Sequence, residues 1–155
     1  MPKNEPDWRD QLQPDRHIHL IGIGGMGMAG LAILLHERGL QISGCDTVAN
    51  RQTAYLKARG IPVEFDHDVA HLEGCDLLIR SSAVSLDTDE VQEAIRQCIP
   101  VVQRGYVLAE LVRDRICIGV AGSHGKTSTA AILSQLLQSG FAIGGEIGGG
   151  SWIGT

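Results

Sequence analysis

The stretch "HIHLIGIGGMGMAGLAILLHERG", residues 17–39, places a short apolar run directly before a group of glycines and a second apolar run. The first run predicts a buried strand, and the second has apolar residues at helical spacing until Gly39 ends it. A strand, a glycine turn and a helix in this order are the opening unit of a nucleotide-binding α/β fold.

The alternation of strands and helices continues along the chain. Further strands are predicted at 40–46, 62–65, 76–84, 99–104 and 116–122, with helices at 51–60, 88–98, 105–114 and 125–140. Asp87 or Thr88 can cap the helix at 88–98. Strands separated by helices of this length form parallel sheets with helices on both faces, so the fold class is α/β, a doubly wound, Rossmann-like sheet.

Three segments are expected. Residues 1–16 are polar and contain three prolines, which predicts a flexible arm. Residues 17–114 would form the Rossmann-like domain, and the charged "RDR" at 113–115 marks a boundary. Residues 115–155 would begin a second domain of the P-loop type, with its first strand, helix and strand. The last of these strands runs into a glycine-rich segment.

Composition excludes some classes of partner. A formal net charge of −5 leaves no basic surface to attract nucleic acid. The four cysteines contain no C-x-x-C pair, which favours reduced, buried thiols in a cytoplasmic protein. No apolar run has the length of a signal peptide or a membrane span, so no membrane partner is expected.

The first glycine loop predicts a diphosphate site. Gly22, Gly24 and Gly27 satisfy G-x-G-x-x-G after a strand, and Asp46 ends the next strand. Glycines let the backbone approach a pyrophosphate, and free N–H groups at the helix start donate to it. The pattern leaves open an NAD or NADP site, another diphosphate ligand, or a turn that serves packing alone. Gly25 adds a further flexible residue to the loop.

A second glycine loop, "AGSHGKTS" at 121–128, predicts a nucleoside triphosphate site. Val120 stands where a strict P-loop has its first glycine, but the strand, glycine turn, lysine, threonine and helix are all present. Lys126 can bridge the β- and γ-phosphates of ATP, and Thr127 can ligate Mg²⁺. The predicted ATP-binding residues are Gly122, Ser123, His124, Gly125, Lys126, Thr127 and Ser128, with Lys126 as the catalytic residue.

The motifs together resemble the Mur ligases of peptidoglycan synthesis. "IHLIGIGGMGMAGLA", "ISGCD", "SSAV", "IPVVQR" followed by "LAEL", and "AGSHGKTST" occur in the family's order and approximate spacing, over most of residues 17–147. The likeness is greatest to members that join L-alanine to UDP-N-acetylmuramate. It implies a UDP-sugar domain, a central ATPase domain and an amino-acid domain, with ATP and Mg²⁺ as cofactors. The implied reaction passes through an acyl phosphate, which the amine of L-alanine then attacks.

The resemblance also implies roles for individual positions. Gly24, Gly25, Met26 and Gly27 are similar to the UDP-diphosphate loop, and Ser81 and Ser82 to a strand-end turn that faces the UDP-sugar. The predicted substrate-binding residues are Gly22, Gly24, Gly25, Met26, Gly27, Asp46, His67, Ser81, Ser82 and Arg104. For His67 and Arg104, a surface histidine and an ordinary strand-end arginine are the alternatives. Gly105 and Tyr106 depart from the family, which usually has alanine and an acidic residue there.

Alternatives remain at this stage. An NAD-dependent oxidoreductase would leave Lys126 and Thr127 unexplained, and a non-catalytic nucleotide-sugar binder would share both loops. The third alternative is a related ligase that attaches a preformed tripeptide to the same UDP-sugar.

The chain is expected to be an N-terminal part that binds the UDP-sugar without completing ligation, and its P-loop helix could self-associate. His17 and His19 lie on one side of a strand, but the sequence offers them no third metal ligand.

Overall fold

The computed structural model describes residues 7–114, 116–138, 144–147 and 150–153. Five parallel strands form one sheet in the order β3-β2-β1-β4-β5. The strands are β1 (His17–Ile21), β2 (Gln41–Cys45), β3 (Val63–Glu64), β4 (Leu77–Arg80) and β5 (Val101–Gln103). The helices are α1 (Met26–Glu37), α2 (Arg51–Ala58), α3 (Asp89–Arg96), α4 (Arg104–Leu111) and α5 (Lys126–Gln138), with 3-10 helices at Trp8–Gln11 and Val69–Leu72.

The sheet has a different apolar core on each face. Ile18, Leu20 and the side chains in phase with them pack with α1, α2 and α4. Ile21, Cys45 and Leu78 pack with Val91 of α3 and with the 3-10 helix Val69–Leu72 on the other face. Since successive side chains of a strand point to opposite faces, both sets come from the same strands. The doubly wound α/β class is therefore confirmed.

Local signals fix where the helices begin and end. Asn50 caps α2: its Oδ1 accepts from the backbone N–H of Thr53 at 3.0 Å, and its own N–H donates to Thr53 Oγ1 at 2.9 Å. Gly39 and Gly60 follow α1 and α2 with φ of +87° and +81°, the left-handed conformation that ends helices. Thr88 is the N-cap of α3, but neither it nor Asp87 provides a side-chain cap, because Thr88 Oγ1 donates to the Ser85 carbonyl at 3.0 Å.

Two expectations about local structure differ from what is observed. Residues 116–122 form no strand among the described residues, because a parallel strand exists only through its neighbours and no described strand lies beside them. Part of the expected flexible arm is folded: Trp8 and Leu12 pack against the core, and Arg9 Nε donates to Glu110 Oε2 at 2.8 Å.

The C-terminal part contains α5 and an antiparallel hairpin of β6 (Gly144–Ile147) and β7 (Gly150–Ile153). The predicted terminal strand began at 141–143, which lie outside the described residues. Ile132 and Leu136 of α5 are exposed, and self-association through this helix stays a prediction.

Among the helices of the described residues, none has both the length and the apolar character that a membrane span requires. All four cysteines are free thiols, but Cys98 and Cys117 are exposed, so the prediction of buried thiols holds only for Cys45 and Cys75.

Candidate nucleotide-binding site

The carboxyl ends of the parallel strands bring most of the predicted substrate residues to one edge of the sheet. Gly22 follows β1, Asp46 follows β2, Ser81 follows β4 and Arg104 follows β5. The chain leaves β1 and β4, which are neighbours, toward opposite sides of the sheet. Ligands of open α/β sheets bind in the crevice at such a switch point.

The glycine loop lies in this crevice. Gly22 has φ of +78°, and its backbone N–H donates to the Cys45 carbonyl at 2.8 Å. A Cβ on Gly22 would lie 3.1 Å from Ser81 Cβ, closer than an ordinary contact, and the positive φ of Gly22 disfavours any side chain there. The backbone N–H of Ser81 donates to the Ile21 carbonyl at 3.1 Å. The predicted partners Gly22 and Ser81 are therefore in direct contact across the switch point.

Asp46 holds the loop from the other side. Its Oδ2 accepts from the backbone N–H of Gly24 at 2.8 Å, and its Oδ1 accepts from that of Val48 at 3.1 Å. Asn50 Nδ2 donates to the Gly24 carbonyl at 3.1 Å. Asn50 was missed by the sequence reasoning, although Asn-x-x-Thr before a helix is a recognisable cap signal. Asp46 thus orients the loop backbone, with lone pairs remaining for a ligand.

The start of α1 offers donors to an anion. Gly25 is its N-cap and makes no side-chain cap, so the backbone N–H groups of the first turn are not covered by a cap. Met26 is 56% exposed, and Gly27 belongs to the same turn. A Cβ on Gly25 would meet nothing closer than the Gly22 carbonyl at 3.4 Å. The surface next to Gly25 is therefore open, and it adjoins the backbone N–H groups at the start of α1.

The remaining predicted substrate residues are less closely tied to the loop. Ser82 is exposed and Arg104 is half-buried at the start of α4. His67 Nδ1 lies 3.2 Å from Glu90 Oε2 and 3.4 Å from Cys45 Sγ, so this histidine faces a group of buried polar side chains. The structure brings together Gly22, Gly24, Asp46 and Ser81, whereas His67 joins a different cluster.

That group of side chains lies behind the loop on the α3 face of the sheet. We call it the Glu90 cluster, and it comprises His19, Cys45, His67, His71 and Glu90. Burial lowers the pKa of His19, although Glu90 opposes the shift. Burial alone acts to raise the pKa of Glu90, but the neighbouring His19, Cys45 and His67 outweigh it and hold that pKa below its usual range. Burial raises the pKa of the Cys45 thiol well above its usual range. Near neutral pH, His19 is therefore neutral, Glu90 is ionised and the Cys45 thiol keeps its proton.

The second glycine loop leads into α5. Gly125 has φ of +75°, and Lys126 begins the helix. Lys126 Nζ donates to the Gly122 carbonyl at 2.6 Å and to that of Ser123 at 3.3 Å, so the lysine curls over the loop. His124 Nδ1 lies 3.3 Å from Ser123 Oγ. Thr127 and Ser128 are exposed in the first turn of α5. A glycine turn directly before a helix that begins with lysine is consistent with a phosphate-binding loop, and phosphate binding there stays a prediction.

Comparison with known proteins shows the family. The model of the Mur ligase family, catalytic domain, matches residues 17–116. The UDP-N-acetylmuramate--L-alanine ligase of Halorhodospira halophila is 41% identical over 158 residues, which cover 95% of this chain and 32% of that protein. The chain therefore spans about a third of that relative's length.

Two solved structures are similar over most of the chain. The UDP-N-acetylmuramate-alanine ligase of Thermotoga maritima superposes with a TM-score of 0.80 at 28% identity, over 85% of this chain and 31% of the other. The UDP-N-acetylmuramate:L-alanyl-gamma-D-glutamyl-meso-diaminopimelate ligase from Neisseria meningitides gives a TM-score of 0.80 at 35% identity, over 86% of this chain and 43% of the other.

Proposed function

Because the chain belongs to the Mur ligase family, we propose that it carries the UDP-sugar site and the ATP loop of a ligase that adds L-alanine to UDP-N-acetylmuramate. One observation supports this most strongly. The glycine loop sits at the switch point of the sheet, where Asp46 holds Gly24 and Ser81 touches Gly22.

The first loop is suited to the diphosphate of UDP. The N–H groups of the first turn of α1 donate to the phosphate oxygens, and Gly25 lets them approach the backbone. Ser81, Ser82 and Arg104 belong to the same strand edge and would contact the sugar and the diphosphate. His67, which faces the Glu90 cluster, has the weakest support as a substrate residue.

The second loop would hold ATP and Mg²⁺. Lys126 is proposed to leave its two loop carbonyls and neutralise charge on the β- and γ-phosphates, while Thr127 would ligate Mg²⁺. The substrate carboxylate attacks the γ-phosphorus and ADP leaves. The amine of L-alanine then attacks the acyl carbon and phosphate leaves, so that an amide forms at the expense of one ATP.

A second candidate has a specific observation in its favour. The Neisseria ligase, whose name specifies a tripeptide, is more similar in sequence than the Thermotoga alanine ligase, at 35% against 28% identity with equal TM-scores. The Halorhodospira relative, at 41%, favours L-alanine. The two functions share the UDP-sugar and differ in the amine donor. Competition between L-alanine and the tripeptide in the complete enzyme distinguishes them.

Binding to the 155-residue chain tests the proposal directly. Calorimetry with UDP-N-acetylmuramate is expected to show one site, and titration with NADH is expected to show no change in its fluorescence. NADH binding that excludes the UDP-sugar would overturn the proposal and favour an oxidoreductase. The free thiols are consistent with a cytoplasmic location, which we include in the proposal.

A further inference from the structure

The Glu90 cluster contains side chains of the types that bind metal ions. Ligand atoms of His19, Cys45, His71 and Glu90 all lie within 4.8 Å of one another. The four residues come from four different elements: β1, β2, the 3-10 helix Val69–Leu72 and α3. This is why the sequence offered His19 no third ligand.

The distances between these atoms suit a tetrahedral ion. Glu90 Oε1 lies 3.0 Å from His19 Nε2, 3.3 Å from His71 Nδ1 and 3.7 Å from Cys45 Sγ. Nitrogen, oxygen and sulfur ligands around tetrahedral Zn²⁺ are about 3.3 to 3.8 Å apart. The other separations within the set are at most 4.8 Å, so the side chains would have to move closer together around an ion.

His19 is already oriented as a ligand. Its Nδ1 lies 2.8 Å from Ser43 Oγ, so Nε2 points into the cluster. The residue is 1% exposed, and Nε2 is the single buried side-chain nitrogen or oxygen without a hydrogen bond among the residues that the structure describes. Nε2 lies 3.0 Å from Glu90 Oε1 and interacts with it, although the pair does not have the angles of a good hydrogen bond. A cation bound between Nε2 and Glu90 would give this buried nitrogen a better-aligned partner.

The outer contacts of the cluster also match those of metal ligands. A metal-bound histidine commonly uses its second nitrogen to bind a hydroxyl, carbonyl or carboxylate that fixes the ring. Ser43 has this position for His19, and Asp66 Oδ1 has it for His71, 3.4 Å from Nε2. With Cys45 bound as a thiolate and Glu90 as a carboxylate, two negative charges would balance a divalent ion.

We propose that His19, Cys45, His71 and Glu90 bind a divalent transition metal, with Zn²⁺ as the ion that this donor set suits best. The site is independent of the proposed ligase function and of the Mg²⁺ that Thr127 would ligate. His67, whose side chain is 30% exposed, contacts Cys45 and Glu90 and is not one of the four proposed ligands.

A bound ion would brace the glycine loop. The carbonyl of Cys45 accepts the backbone N–H groups of Gly22 at 2.8 Å and Ile23 at 3.1 Å, and Asp46 follows Cys45 directly. Holding the Cys45 side chain in place would therefore also hold its carbonyl, which binds the backbone of Gly22 and Ile23 at the start of the glycine loop. The ion would act on the structure of the nucleotide site without touching the nucleotide.

The test uses the 155-residue chain with Cys98→Ser and Cys117→Ser, which removes the two exposed thiols. After treatment with a chelator, the protein is titrated with ZnCl₂ by calorimetry and with CoCl₂ by absorption spectroscopy. We expect one ion per chain, a higher melting temperature, tetrahedral cobalt bands and a thiolate-to-cobalt charge-transfer band. The proposal would be overturned if this chain, whose Glu90 cluster is unchanged, bound neither Zn²⁺ nor Co²⁺. It would also be overturned if the cobalt spectrum lacked the thiolate band.

Matched variants locate the site. Cys45→Ser and His71→Gln are expected to weaken Zn²⁺ binding about tenfold or more. Cys75→Ser, a buried cysteine on the same face, and His36→Gln, an exposed histidine, should leave it unchanged. Equal affinity in Cys45→Ser would refute the assignment. If that variant does not fold, as judged by circular dichroism, the cobalt spectrum of the parent chain decides the question alone.

Discussion

The backbone N–H of Gly24 donates to the carboxylate of Asp46 over 2.8 Å, and this bond joins the glycine loop after β1 to the end of β2. In dinucleotide enzymes, the acidic residue at this position binds the ribose of the cofactor. Here it holds the loop itself. An acidic residue at the end of β2 is therefore not by itself evidence of an NAD site, because it also has a structural role.

Alanine at Gly24 and at Gly25 should separate folding from binding. A Cβ at Gly24 would lie 2.8 to 2.9 Å from Asp46, Asn50 and Thr53, whereas at Gly25 nothing is closer than 3.4 Å. We expect Gly24→Ala to lower the free energy of unfolding by about 1–3 kcal/mol, as measured by urea denaturation. Gly25→Ala should cost no more than about 1 kcal/mol but should weaken UDP-N-acetylmuramate binding. Full affinity in Gly25→Ala would argue against close approach of a diphosphate.

Replacing the Asp46 carboxylate should loosen the loop. In Asp46→Asn one of the two accepting oxygens becomes an NH₂ group that faces the N–H of either Gly24 or Val48. We expect a loss of stability of about 1–3 kcal/mol and weaker binding of the UDP-sugar by calorimetry. Asp10→Asn, an exposed substitution in the 3-10 helix, is the control. Equal stability of the two variants would show that the carboxylate does not hold the loop.

Lys126 should affect ATP and not the UDP-sugar. Its ammonium group is bound only by loop carbonyls of Gly122 and Ser123 among the contacts described, so a phosphate can replace them. Lys126→Gln is expected to weaken binding of ATP with Mg²⁺ about tenfold or more and to leave UDP-N-acetylmuramate affinity unchanged. The control is Lys57→Gln, which removes an ammonium group that lies over the Phe65 ring, outside both glycine loops, and should leave the binding of ATP with Mg²⁺ unchanged. Loss of UDP-sugar binding in Lys126→Gln would contradict the assignment of two separate loops.

Alkaline pH should destabilise the protein partly through Cys75. Burial raises the pKa of this thiol to about 11. The unfolded chain loses the thiol proton first, so the free energy of unfolding falls as pH rises above the unfolded pKa and levels off above the folded pKa. The thiol should contribute a slope of up to about 1.4 kcal/mol per pH unit between roughly pH 9 and 11.

Urea denaturation of Cys75→Ala over the same pH range measures this contribution. The variant is expected to lose some stability at pH 7, because a buried side chain is shortened, and to have a shallower alkaline slope than the parent chain. Cys98→Ala, at an exposed position, should keep the parent slope. If the free energy of unfolding of Cys75→Ala fell with pH as steeply as that of the parent chain, the Cys75 thiol would not be a source of the alkaline destabilisation.

The order of elements and the edge of the sheet could be read from the sequence. Apolar runs, glycines at helix ends and the two glycine loops predicted five strands of one parallel sheet, and parallel strands necessarily present their carboxyl ends at a common edge. Gly22 and Asp46 were predicted from the G-x-G-x-x-G pattern and Ser81 from the resemblance to Mur ligases, and all three lie at this edge. Each of these signals depends on residues that are close together in the sequence, so it can be recognised without knowing how the elements pack.

The tertiary structure decided what depends on contacts between distant segments. The strand expected at 116–122 is absent from the described residues because no neighbouring strand pairs with it. Trp8 packs on the core from a segment whose polar composition predicted a loose arm. The Glu90 cluster unites β1, β2, a 3-10 helix and α3, and no spacing along the chain encodes such a meeting. Periodicity and turn chemistry are written in neighbouring residues, whereas a buried site is made by the packing that brings separate elements together.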